Sequence, residues 1–164
     1  IKLGSGTLTL GGTGLANFQF TSSARINGAG NLVKGGSYKQ ILTNSSTYTG
    51  LTSVQGGTLA LASDGSVSQS RLIGVDQGAI FDIGGTTSGT SIKALSGTGS
   101  VALGAKDLAI TGTTSGANSG GGAFDGVISG TGGLSVDLNR TGQGPAPPPS
   151  PQELLPSMDR SHRP

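Results

Sequence analysis

GSGTLTLGG, Gly4 to Gly12, is the stretch on which the fold turns. Leu8 and Leu10 alternate with threonine, the period of a half-buried strand, and glycine punctuates both sides. No apolar residues at helical spacing follow. The opening of the pattern is glycine, any residue, glycine, any residue, then Leu or Val. It returns at Gly28 (GAGNLV), Gly97 (GTGSVALG) and Gly130 (GTGGLSV). The intervals are 24, 69 and 33 residues, and the middle one is three times 23. Two weaker copies, GGTLAL from Gly56 and GAIFDI from Gly78, fill that interval. Internal repeats with periods in the twenties are the signature of a solenoid.

Composition alone would suggest disorder. Of 164 residues 32 are glycine, only 32% are apolar, and the aromatics are four Phe and two Tyr with no Trp. Such a chain cannot offset its conformational entropy with an ordinary core. A short strand that recurs about every twenty residues, with several corners between, solves the problem by coiling into stacked rungs. Rungs sit roughly 4.8 Å apart, so like side chains lie over one another in columns that need few aromatics. The expected architecture is an all-β parallel β-helix of roughly six rungs over residues 1–137, in which the strand restarts because each rung revisits the same face. Leu8, Leu32, Leu59, Leu61, Phe81, Ile83, Val101, Leu103, Leu108, Ile110, Leu134 and Val136 are expected to face inward. The intervening Thr, Ser and Asp then form a solvated outer face. An antiparallel sandwich is the competing fold, but its strands recur every 8 to 12 residues and its core normally holds a buried aromatic.

Ten basic and eight acidic residues leave a net charge of +2. No basic patch with interleaved aromatics occurs, which argues against a nucleic-acid partner. Cysteine is absent, and with it disulfides and thiolate metal sites. No apolar run approaches the length of a membrane span, and no signal peptide is recognisable. The chain opens without methionine, in mid-pattern at Ile1-Lys2-Leu3, as a fragment of something longer would.

Ile26 to Leu61, INGAGNLVKGGSYKQILTNSSTYTGLTSVQGGTLAL, resembles the passenger-associated strand repeat of bacterial autotransporters. The matching positions are Gly28, Gly30, Leu32, Lys34, Leu42, Thr47-Tyr48-Thr49-Gly50, Val54 and Gly57-Thr58-Leu59. Partial copies begin ALSGTGSVAL (Ala94 to Leu103) and ISGTGGLSV (Ile128 to Val136), so the likeness covers Ile1 to Asp137 unevenly. The resemblance implies a right-handed parallel β-helix exported through an outer-membrane β-barrel of the same polypeptide. It implies display on the surface of a Gram-negative bacterium, or release from it, as a structural scaffold or adhesin of the kind associated with virulence. Partners would be surface glycans or proteins of host or bacterium. The alternative is the non-catalytic stalk of a secreted hydrolase, polysaccharide lyase-like or protease, whose active site lies elsewhere.

Catalytic chemistry finds little support. The single histidine, His162, lies far from the repeats, which excludes Ser-His-Asp and Cys-His arrangements within them. Asp76 and Asp82 are the carboxylates nearest to a glycosidase-like pair, but acids between strand residues are ordinarily solubilising. GTGSVALG lacks the third glycine and the following helix of a phosphate loop. Neither SGGGAFDG nor GTGGLSVD repeats in tandem as calcium-binding nonapeptides do. Asn44-Ser45-Ser46 matches a glycosylation acceptor, incidental in a bacterial protein. No catalytic, cofactor-binding or metal-ligating residue is therefore expected, and no enzyme.

After Asp137 the pattern stops, and residues 138–164 carry all seven prolines. This tail is expected to be disordered. It reads either as a proline-rich linker or as a shifted reading frame of a further repeat, which permitted codons can accommodate.

Overall fold

A computed structural model describes residues 1–12, 18–112 and 123–137, and among them every regular element is a β-strand paired in parallel. Three sheets run along the molecule. The first contains β1 (Thr7–Leu10), β3 (Asn31–Lys34), β5 (Leu51–Val54), β7 (Leu72–Val75) and β10 (Leu95–Gly97). The second contains β2 (Gln19–Ser22), β4 (Lys39–Leu42), β6 (Thr58–Ser63), β8 (Ile80–Thr86), β11 (Ser100–Gly104) and β13 (Val127–Gly130). The third begins only in the C-terminal half, with β9 (Thr90–Ile92), β12 (Leu108–Ile110) and β14 (Leu134–Val136). Successive strands lie in different sheets and each pairs with the strand one turn away, the connectivity of a coil. The repeats thus build the expected β-solenoid, of about five turns, with six strands in its second sheet.

Alternation along each short strand sends every second side chain inward, and parallel register stacks those side chains into columns. In the first sheet Leu8, Leu32, Thr52, Ile73 and Leu95 form one column; Leu10, Lys34, Val54 and Val75 form the next. In the second, Phe20, Gln40, Leu59, Phe81, Val101 and Ile128 lie in line. Eight of the twelve residues expected inside, Leu32, Leu59, Leu61, Phe81, Ile83, Val101, Leu103 and Leu108, are buried, while Leu8 and Ile110 are half-buried against the same core. Leu134 and Val136 are not: they remain 46% and 52% exposed. Their register is right, opposite Leu108 and Ile110, but they sit on the last described rung with no strand over them. The outer face also differs from expectation, because Val33, Ile41, Leu51 and Leu72 share it, partly exposed, with the polar residues.

The paired glycines do not mark one face. Gly4 and Gly28 lead into the first sheet, Gly97 into the second at β11, and Gly130 into the third at β14. The motif marks a kind of corner, and only the 24-residue interval measures a true return to the same sheet. The backbone angle is constant at all four places, the close approach at the last three. The first glycine has a positive φ, between 57° and 132°, where a side chain would be strained. In the copies at Gly28, Gly97 and Gly130 the second lies against the backbone of the preceding rung. A Cβ on Gly30 would fall 1.9 Å from the Gly6 oxygen, on Gly99 2.3 Å from that of Asp76, and on Gly132 1.9 Å from that of Lys106.

Candidate functional site

Three groups of side chains could carry chemistry: two polar inclusions in the core and the outer face of the second sheet. Lys34 ends β3 on the inner side, two residues from Leu32, and is fully buried in the column between Leu10 and Val54. Its Nζ donates to the carbonyl oxygens of Gly35 (2.7 Å), Gly36 (3.0 Å) and, one rung on, Gly56 (3.0 Å). It also lies 3.9 Å above the Tyr38 ring. Phe20 meets that ring edge-on at 5.2 Å. Burial pushes the Lys34 pKa down from the usual lysine value. All three ammonium hydrogens are nevertheless committed to carbonyls, so the group joins two rungs and has no hydrogen-bonding capacity left for a ligand.

Tyr48, from the Thr47-Tyr48-Thr49-Gly50 stretch, is the largest fully buried side chain among the described residues. Its hydroxyl hydrogen-bonds the Thr52 hydroxyl, Thr52 donates to Ser70 Oγ (2.9 Å), and Ser70 donates to the Gly50 oxygen (2.9 Å). Desolvation pushes the Tyr48 pKa up to about 12, although the hydroxyl partners pull the other way. Each hydroxyl proton is passed down a line that ends on a carbonyl. No base is in the line to activate a nucleophile. Gln40, also buried, gives its amide hydrogens to the Phe20 and Ile41 oxygens. Among the described residues no buried side-chain nitrogen or oxygen lacks a partner.

On the outside of the second sheet Lys39 pairs with Asp82 at 2.9 Å, reaching across the β6 strand between them. The other Asp82 oxygen accepts the Gly84 N–H at 2.9 Å. Asp76 lies apart, exposed in the turn before β8, where its carbonyl accepts the Ala79 N–H. Among the described residues no three of His, Cys, Asp or Glu cluster as metal ligands would. Around Lys39 and Asp82 the same face presents Gln19, Thr58, Ile80 and Ser100 in one register column, and Thr21, Ile41 and Ser129 in the next. The third sheet turns Ser91, Ala109 and Ser135 outward in line. These surfaces are mixed in polarity and repeated rung by rung, suited to contact along their length. His162 and the proline-rich stretch lie outside the described residues.

The sequence placed the strands but not the polar inclusions. For Lys34 the signal was there, since a residue two after inward Leu32 shares its face, but it was not among the residues expected inside. Tyr48 gave none, since it belongs to a corner, where no alternation applies.

No protein-family profile matches the chain, and no solved structure matches it. It is 38% identical over 141 aligned residues to the adhesin BmaC autotransporter of Brucella suis biovar 1 (strain 1330). The alignment takes in 80% of this chain and 4% of the relative, so the chain spans about one twenty-fifth of that protein's length.

Proposed function

Taking as premise that this chain is a passenger-type stretch of an autotransporter, we propose that it works as a non-enzymatic, surface-displayed scaffold with an adhesive outer face. Residues 1–137 supply the solenoid and residues 138–164 a segment outside it. An outer-membrane barrel in the full-length protein would carry the solenoid to the surface of a Gram-negative cell. The observation that carries this reading is the union of relationship and form: a homologue of an adhesin whose outer columns repeat polar and apolar side chains at the rung spacing. Repetition matters because many weak contacts, each made by one rung, add through effective concentration into useful affinity. The ligand class is carbohydrate or protein on another cell's surface.

The test is adherence. Bacteria displaying this chain on a heterologous autotransporter barrel should bind host-cell monolayers or an immobilised glycan array more than bacteria displaying the barrel alone. Replacing outward Lys39, Thr58 and Ser100 with glutamate should reduce that gain without changing the amount displayed. Equal adherence with and without the chain, at equal display, would refute the proposal.

A further inference from the structure

We propose that two copies of this chain pair side by side through the outer face of the first sheet, coil axes parallel, about a two-fold axis that runs along the coil. The pairing rests on the fold alone and is independent of the adhesive reading. Its centre is β7, which is paired on one side with β5 and on the other with β10, so the surface belongs to the middle of the solenoid and not to its ends.

Within β7, Ile73 and Val75 are buried while Leu72 and Gly74 face outward. Leu72 stands in register with Leu51, and Gly74 shares a column with Val33, Ser53 and Ser96. Val33, Leu51 and Leu72 leave apolar surface partly exposed there. Gly74 makes a dent beside them. A Cβ at that position would meet only the Ser96 Oγ at 3.7 Å and the Thr52 oxygen at 3.9 Å, both ordinary contacts, and its φ is not positive. Nothing inside one copy therefore requires glycine here, unlike the corners at Gly30, Gly99 and Gly132. A mid-strand glycine weakens a strand, and marks a place where a neighbour comes close.

The charges say which neighbour fits. Arg71 precedes β7 and Asp76 follows it, both exposed, at the two corners that bound the face. Among the described residues the one ion pair is Lys39 with Asp82, so neither of these charges is matched. Five residues of extended chain hold them roughly 16 Å apart, too far to meet within a copy. When a face packs on itself, two in-plane two-fold axes are available. An axis along the strands would set Arg71 on Arg71 and Leu72 on Leu72. An axis along the coil reverses the strand direction instead. Leu72 of each copy then lies over the Gly74 dent of the other, and each Arg71 faces the other copy's Asp76. Every rung meets its own duplicate at the same height, so Leu51 and Ser53 face each other in the same way. Knob, dent and both charges are satisfied by one operation, which identifies the occupant as a second copy of this chain.

A face four residues wide and five strands high measures roughly 13 by 24 Å. That is well below the ~800 Å² per partner of a standard interface, so the dimer should be weak. Sedimentation equilibrium of the whole chain, in a series reaching about millimolar, should show monomer and dimer in exchange. Gly74→Val fills the dent without a clash inside one copy. It should weaken dimerisation about tenfold or more while the thermal midpoint holds or rises. Arg71→Glu acts twice in a symmetric dimer and should weaken it about tenfold, as should Asp76→Arg. Mixing those two variants should restore dimers, and both changes in one chain should restore the original affinity. Circular dichroism checks the fold of each variant; should Gly74→Val not fold, the two charge reversals, at exposed positions, carry the test. A monomer at every concentration, a dimer indifferent to a folded Gly74→Val, or a double reversal no tighter than either single change would each overturn the proposal.

Discussion

Raising the pH should unfold this solenoid through Tyr48. Its hydroxyl is buried and titrates near 12, against 10.0 for an exposed tyrosine. Between those values the folded chain keeps a proton that the unfolded chain has released, so stability falls as pH rises through the window. Each unit of separation is worth about 1.4 kcal/mol, giving a loss of about 1.4 kcal/mol near pH 11 and roughly 3 kcal/mol above pH 12. Tyr48→Phe removes the proton at issue. At neutral pH it should cost about 1 kcal/mol for the lost hydrogen bond to Thr52. At about pH 11 to 12 it should be as stable as the unmodified chain or more so, because the alkaline penalty is gone. Tyr38, also raised by burial, adds to the alkaline loss, while Lys34, lowered by burial, opposes it as pH climbs toward 10.5. Both are common to the two proteins and drop out of their difference. Urea titrations followed by far-ultraviolet circular dichroism at neutral and alkaline pH supply that difference. If the two proteins lose the same stability on alkalinisation, the Tyr48 hydroxyl is not the buried group described here.

Other perturbations separate the contributions of core, corner and surface. Leu59→Asp should cost several kcal/mol in urea unfolding, since the side chain is fully buried between Gln40 and Phe81 and a charge there has no partner. Lys34→Ala should cost several kcal/mol, leaving three carbonyls without their donor and a void beside Tyr38. Gly30→Ala should destabilise more than Gly78→Ala by thermal melting: both break a glycine corner, but only at Gly30 does the new methyl meet a carbonyl, whereas nothing lies within 4 Å at Gly78. Asp82→Asn should shift stability by less than about 1 kcal/mol, because its pairing with Lys39 is partly solvated.

How far the sequence revealed these features depended on whether the residues lay in strands or at corners. Within strands, alternation located Leu59, Phe81 and Val101 without ambiguity, because a one-residue slip would have turned each of them to water. Corners obey no such rule. Glycine pairs announced them, but the pairs at Gly97 and Gly130 proved to open different sheets from the pair at Gly28, since close backbone approach imposes the same residue wherever a corner is that tight. Alternation marks Leu108, Ile110, Leu134 and Val136 as strand residues but not as members of a third sheet, because its first strand, β9, is three residues long and carries no countable alternation. Of the polar inclusions, Lys34 was not among the residues expected inside, since a lysine in an alternating strand reads as solvent-facing although it shares the face of Leu32, and the Tyr48, Thr52 and Ser70 line joins residues of two rungs and is visible only once the rungs are stacked.

In the second sheet, Phe81 stands opposite Val101 after 20 residues, and Val101 opposite Ile128 after 27. The longer excursion still brings Val101 and Ile128 into register, and the ladder shifts only beyond Ala102. Chain length between strands is thus decoupled from strand pairing: extra residues between strands need not keep the next strand from finding its partner. A coil of this kind can be lengthened, decorated or diversified at its corners by insertion, while the code for its core, one inward residue in every two over a few positions, is left untouched. For an engineer the stretch of sequence between β12 (Leu108–Ile110) and β13 (Val127–Gly130), which carries the extra length, is accordingly the place to insert a binding peptide.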